Sequence, residues 1–161
     1  MFQIMMFVFT VLAGCLVTAA GHVRQTDVPR VAFSAGLTKS LNVSEHVNVT
    51  FDRVWVNVGN GYNPTTGVFT APHDGTYSIM YHGLAEYDGT LWLDLYKNSN
   101  YLSSAYAHIT GQYGAASNSI VLALTAGDEL YITGHGSSIL YGLPDDVYAT
   151  FTGYLLFYAA S

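Results

Sequence analysis

The chain has 161 residues, half of them apolar and only 10% charged, with a formal charge of −6 and five basic residues: Arg24, Arg30, Lys39, Arg53 and Lys97. Charged residues usually make up about a quarter of a soluble domain, so there is ample core material here for a single domain. The basic residues are outnumbered and scattered, which excludes a phosphate-backbone footprint and docking to an acidic membrane surface.

Residues 1–20 are apolar or small except for Gln3, Thr10 and Thr18, and they end Val17-Thr18-Ala19-Ala20. The run reads as a secretory signal peptide cut near Ala20. It is long enough to span a bilayer, but Arg24 and Arg30 follow it, and the positive-inside rule would then hold the globule in the cytoplasm. Leu12-Ala13-Gly14-Cys15 fits a lipoprotein box, yet apolar residues continue past the cysteine. Cleavage removes Cys15, the sole cysteine, and with it disulfides and cysteine catalysis. Residues 21–30 read as a polar, flexible lead-in. Residues 31–161 remain as one extracellular domain.

Val31 to Ala35 reads as a first strand ended by Gly36. Val47, Val49 and Phe51 alternate with Asn48, Thr50 and Asp52, the period of another. Asn57 to Tyr77 is dense in turn chemistry: Asn60-Gly61, Asn63-Pro64 and Gly67, a short apolar run stopped by Pro72, then an Asp74-Gly75 hairpin turn. After it Tyr77, Ile79 and Tyr81 alternate with Ser78, Met80 and His82. Leu91, Leu93 and Leu95 repeat that period, Lys97 to Asn100 turns, and Tyr101 to His108 returns. A Gly- and Ala-rich loop follows from Thr110 to Ser117. Ile120, Leu122 and Leu124 mark another strand, which turns at Ala126-Gly127-Asp128 into Glu129 to Thr133. Gly134 to Val147 is the longest loop, and Tyr148 to Phe157 the last strand. No helical period persists, and neither a Gly-X-Y nor a heptad repeat occurs. The pattern predicts an all-β antiparallel sandwich of about ten strands. Asn42-Val43-Ser44 and Asn48-Val49-Thr50 are glycosylation sequons, so a glycoprotein carrying glycans at Asn42 and Asn48 is expected.

The central stretch is similar to the signature of the globular head of complement C1q and its relatives, which share a jelly roll with tumour necrosis factor. The matching residues are Asn57, Gly59, Tyr62, Gly67, Phe69, Pro72, Gly75 and Tyr77. Phe151-Thr152-Gly153-Tyr154-Leu155 resembles the family's closing motif, and Leu124-x-x-Gly127-Asp128 its penultimate turn. The resemblance implies a jelly roll and a homotrimer packed about a threefold axis. It assigns Ser78, Met80, Ser119, Val121, Phe151, Gly153 and Leu155 to the axis side. Tyr77, Ile79, Leu122, Leu124, Tyr154 and Leu156 fall to the sandwich core. The closing segment is apolar on both faces, which independently calls for two burial partners.

Catalytic chemistry is not expected. No zinc-ligand spacing, phosphate-cradling glycine loop or Gly-x-Ser-x-Gly elbow is present, and the six histidines are scattered. If successive strands reverse, alternate loops share an end. The loops holding Tyr87 and Asp88, Tyr113, and Tyr141, Asp145 and Asp146 then gather at the end opposite the termini. Tyrosine rings cover apolar sugar faces and carboxylates accept from hydroxyls, so these six are the candidate ligand-binding residues. Calcium on Asp88, Asp145 and Asp146 is an alternative use of the same oxygens; no cofactor is required. Resemblance to short secreted invertebrate C1q-domain proteins implies a lectin-like pattern-recognition protein of innate immunity that binds microbial or cell-surface glycans. An extracellular signalling or adhesive module with a protein receptor, and an ion-binding structural protein, are the alternatives.

Overall fold

The computed structural model describes residues 30–136 and 138–159. The expected signal peptide, the lead-in as far as residue 29, and residues 160–161 lie outside them. Twelve strands follow in order: β1 (Ala32–Gly36), β2 (Leu41–Val43), β3 (Arg53–Val58), β4 (Tyr62–Asn63), β5 (Val68–Thr70), β6 (Gly75–Leu84), β7 (Thr90–Lys97), β8 (Asn100–His108), β9 (Ala115–Leu124), β10 (Glu129–Gly134), β11 (Ser138–Leu140) and β12 (Thr150–Tyr158). One five-stranded sheet runs β3-β1-β12-β6-β9 and the other β4-β5-β10-β7-β8; β2 and β11 form a separate pair. The first long strand thus lies beside the last. The two sheets close on one another as an antiparallel jelly roll.

The alternation read from the sequence is what buries the core. Along β6, Tyr77, Ile79 and Tyr81 are buried and Ser78, Met80 and His82 are not. Along β7, Leu91, Leu93 and Leu95 point the same way, into the sandwich. An aromatic cluster joins the layers. Phe33 stacks on Phe69 at 4.4 Å between ring centres and meets Phe151 edge-on at 4.8 Å. Tyr62 is buried beside them. Its hydroxyl donates to the Phe51 carbonyl and accepts from the Phe51 amide, both at 3.1 Å.

Three expectations change. The Val47-to-Phe51 alternation is not a strand: it contributes one bridge, Asn48 to Thr133, although Val49 and Phe51 are buried. The ladder strand lies after it, at β3, on the edge of its sheet. The Gly134-to-Val147 loop contains β11, which pairs with β2.

The third change concerns the axis assignment. Phe151, Gly153 and Leu155 face the sandwich interior, and Tyr154 and Leu156 face outward. Register is the reason: directly paired residues share a face. Phe151 pairs with Tyr81 and Ala35, and Gly153 with Ile79 and Phe33, all of them buried. A Cβ on Gly153 would lie 2.5 Å from the Phe33 ring. Leu155 pairs with Tyr77 and packs against the core. Tyr154 instead pairs with Ser78, and Ser78 with Val121. Ser78, Met80, Ser119 and Val121 therefore keep the outward face assigned to them, joined there by Tyr154. A bulge between Leu155 and Phe157 leaves Leu156 and Phe157 exposed as well.

Candidate functional site

The end at which β12 finishes is closed by polar ties. Asp74 accepts from the Ala126 amide through its carboxylate and from the Ala159 amide through its carbonyl. Asn98 links the turn after β7 to Asp128 and Glu129. The opposite end is different in kind. There the β6–β7, β8–β9 and β11–β12 connections meet.

Asp88 holds the first two of these loops together. It adopts φ +58°, its amide donates to the Gln112 carbonyl at 3.0 Å, and its carboxylate accepts from the Gly111 amide at 2.8 Å. Gly111, at φ +73°, supplies the left-handed backbone that this approach needs. The third loop is fixed by main-chain bonds: the Tyr141 amide donates to Leu84, and the Glu86 amide donates to Ile139.

On this frame four tyrosines form a continuous row. Tyr87 meets Tyr113 at 5.6 Å, Tyr113 meets Tyr141 at 5.2 Å, and Tyr141 meets Tyr148 at 5.6 Å between ring centres. All but Tyr141 are exposed, and Tyr141 is partly so. The Tyr141 hydroxyl is pushed above its ordinary pKa, first by desolvation among its neighbours and then by the Tyr113 and Tyr148 phenols and the Glu86 carboxylate. A phenol hydroxyl can both donate and accept.

The three expected tyrosines are brought together, and Tyr148 joins them. The sequence pattern makes Tyr148 the first residue of the last strand, but β12 begins at Thr150, so Tyr148 lies on the same return as Tyr141. Asp145 and Asp146 lie exposed in the third loop. Asp88 also joins two loops, through the bond that its Oδ1 accepts from the Gly111 amide. Among the described residues no three acidic, histidine or cysteine side chains converge as a metal site, so Asp88, Asp145 and Asp146 are not gathered as a calcium set.

A family model for the C1q domain matches residues 32–156. The chain belongs to the C1q domain family. Solved structures agree with the fold. The globular domain of zebrafish complement 1qA superposes with a TM-score of 0.67 at 24% identity, over 80% of this chain and 99% of that one. Eiger TNF from S. frugiperda gives 0.65 at 16% identity, over 83% and 97%. Murine APRIL gives 0.63 at 12% identity, over 79% and 99%.

Two further features of this C1q domain bear on function. The outward face of the β3-β1-β12-β6-β9 sheet carries exposed Val56, Val58, Val121 and Tyr154 around Ser78, Met80 and Ser119. Of the two sequons, Asn42 is exposed on β2 opposite Ile139. The Asn48 amide nitrogen, by contrast, donates to the Thr66 carbonyl at 3.2 Å. Among the described residues no helix is long and apolar enough to cross a membrane.

One constellation has the residue types of a hydrolase but not the order. Ser104 Oγ donates to Asp94 Oδ1 at 2.5 Å, and His135 Nδ1 lies 2.8 Å from Asp94 Oδ2. The carboxylate stands between serine and histidine. A nucleophilic relay needs the histidine in the middle, to take the serine proton.

Proposed function

We propose that this C1q domain is a secreted, non-catalytic recognition protein that binds microbial or cell-surface glycans at the far-end tyrosine row, as a homotrimer acting in innate immunity. The observation that carries the reading is the row itself. Three loops distant in sequence place four tyrosine rings in contact and leave them open to solvent, where packing alone would bury them. Such rings cover the apolar faces of pyranose sugars. Their hydroxyls, with the Glu86, Asp145 and Asp146 carboxylates, pair with sugar hydroxyls. The trimer is supported by the apolar, outward-facing patch of Val56, Val58, Val121, Tyr154 and Phe157, since exposed apolar patches mark interaction surfaces.

A glycan array with the mature protein, with and without calcium, tests the ligand class. Selective binding that is lost on Tyr113→Ala and on Tyr141→Ala supports the reading. Selective binding unchanged in both variants moves the site elsewhere. A flat array together with a purified cell-surface protein that binds the row would make this a signalling or adhesive module. Exposed tyrosines also suit that role as anchors at protein interfaces.

A further inference from the structure

The other sheet turns an unusual face to solvent. Strand register sets its outward residues in three rows across β10, β7 and β8. Tyr131, Tyr96 and Tyr101 form one row; Thr133, Asp94 and Ser104 form the next. In the third, Trp92 pairs with Tyr106, and the His135 amide donates to the Trp92 carbonyl at 3.0 Å. Two aromatic rows therefore flank a polar one. Aligned rows two residues apart lie about 7 Å from each other along a strand, so the polar row is a trough between ring walls.

The turn before β3 closes one end of that trough. Glu45, His46, Asp94, Tyr96, Thr133, Gly134 and His135 enclose a pit of about 230 Å³. Asp94 points outward yet is only 3% exposed, because its neighbours stand around it. A carboxylate can only accept, so His135 Nδ1 is the donor in their pair. In the neutral ring His135 Nε2 is then left as an acceptor. The His135 ring is fixed a second time, lying on the Trp92 indole at 3.9 Å and 11°. Thr133 is 4% exposed and lines the pit, and among the described residues its hydroxyl makes no hydrogen bond. Glu45 makes no ion pair among the described residues either. Lys97, the basic residue of β7, is engaged elsewhere, 2.8 Å from Asp128. The Tyr96 hydroxyl is pushed above its ordinary pKa, first by desolvation and then by Asp94, Tyr131 and Glu45.

Burying a carboxylate is costly unless it is paired. Asp94 accepts from Ser104 Oγ through Oδ1 and from His135 Nδ1 through Oδ2, so it is held in place at the floor of the pit, while Glu45 at the rim has no such partner among the described residues. The pit is rich in acceptors, carries two carboxylates and has no lysine or arginine in its lining. Phosphate, sulfate and carboxylate ligands are repelled there. A group with a positive charge and several donors is attracted, and a primary ammonium has three donors and no acceptor. We propose that the pit is a second ligand site, independent of the tyrosine row, and that it takes the primary ammonium group of a small ligand. Glu45 supplies charge at the rim and Asp94 supplies it at the floor. Tyr96, Thr133 and His135 Nε2 accept or relay hydrogen bonds. The same group is carried by linear polyamines and by amino sugars that lack the acetyl group.

Titration of the mature protein with glucosamine, N-acetylglucosamine and putrescine, followed by NMR of the His46, His135 and Trp92 ring signals, tests the proposal. Saturable shifts are expected with at least one of the two amines and none with N-acetylglucosamine, whose nitrogen is neutral. Shifts with both amines mean that the ammonium alone suffices, and shifts with only one identify the carrier. Glu45→Gln changes an exposed turn without touching the core, and should raise the dissociation constant about threefold, the scale of one solvent-exposed charge pair. Asp94→Asn should abolish binding if it folds. Glu45→Gln keeps the test open if it does not. Equal shifts with N-acetylglucosamine and glucosamine, no shifts with either amine, or an affinity unmoved by Glu45→Gln would each overturn the assignment.

Discussion

Truncating Phe151 to alanine should weaken the protomer itself. The ring is 0% exposed and sits among Phe33 at 4.8 Å, Phe51 at 5.8 Å and Tyr62 at 6.1 Å between ring centres. Phe→Ala in a core costs about 3–5 kcal/mol, more where the site cannot collapse. Here the neighbouring rings are held by strands and by the paired hydrogen bonds of Tyr62, so the upper half of that range applies. With a urea slope of roughly 2 kcal/mol per molar for a domain of this size, the midpoint should fall by about 2 M. Unfolding of an assembly depends on concentration, so the comparison is made at one fixed protomer concentration. Tyr154→Asp is the matching perturbation on the opposite face, where Tyr154 is 39% exposed. It should leave the isolated protomer folded and lower the sedimentation mass. In an assembly it would bring like charges together, at several kcal/mol per buried ion. A Phe151→Ala protein with an unmoved midpoint and a reduced mass would refute the face assignment. It would return Phe151 to the axis side.

Other outcomes follow from the same geometry. Tyr62→Phe should cost about 1–3 kcal/mol in chemical denaturation, because it strands the buried amide and carbonyl of Phe51. Asp128 is held at a pKa of about 2, first by its hydrogen bond to Lys97, then by those from Asn98 and the Thr125 amide. Its folded pKa lies below the unfolded value, so its contribution is complete above about pH 4 and disappears as pH falls towards 2. Asp128→Asn should therefore flatten the acid limb of a stability–pH profile; an unchanged limb would show that the pair contributes nothing. Peptide mapping of secreted material should find glycan at Asn42 in preference to Asn48, whose amide already has a partner. Chelation should leave ligand binding at the tyrosine row intact, since among the described residues no three acidic, histidine or cysteine side chains converge.

Much of the sandwich could be read directly from the chain. In β6 and β7 one face is apolar and the other is not, so a period of two also gives the direction of each side chain. The same logic fails in β12. Phe151 and Leu155 lie on one face, Tyr154 and Phe157 approach the other, and hydropathy cannot choose between them. The pairing of Phe151 with Tyr81 makes the choice, and that is a relation between strands. Val49 and Phe51 are buried as their alternation implied, but burial did not make a ladder: one bridge to β10 forms at Asn48. Strands β2 and β11 have three residues each. That is too short a run for any periodicity, so they were hidden inside loops.

The tyrosine row and the acidic pit differ in what each needed from the sequence. Antiparallel strands reverse at every connection, so counting connections was enough to bring Tyr87, Tyr113 and Tyr141 to one end, whatever the register. The pit depends on register throughout. Thr133, Asp94 and Ser104 become neighbours only because β10 and β8 flank β7 in one particular alignment. A slip of one residue would turn Asp94 into the core and Leu93 or Leu95 out to solvent. The leucines on either side of Asp94 forbid that slip, since both are fully buried. The apolar half of β7 therefore fixes the position of its polar half. The same alternation that builds the core also holds a carboxylate, a phenol and an indole in line on the opposite face. Removing Asp94 alone would take the carboxylate out of that line and leave the core intact, whereas a disturbance of Leu93 or Leu95 would lose both the core and the pit.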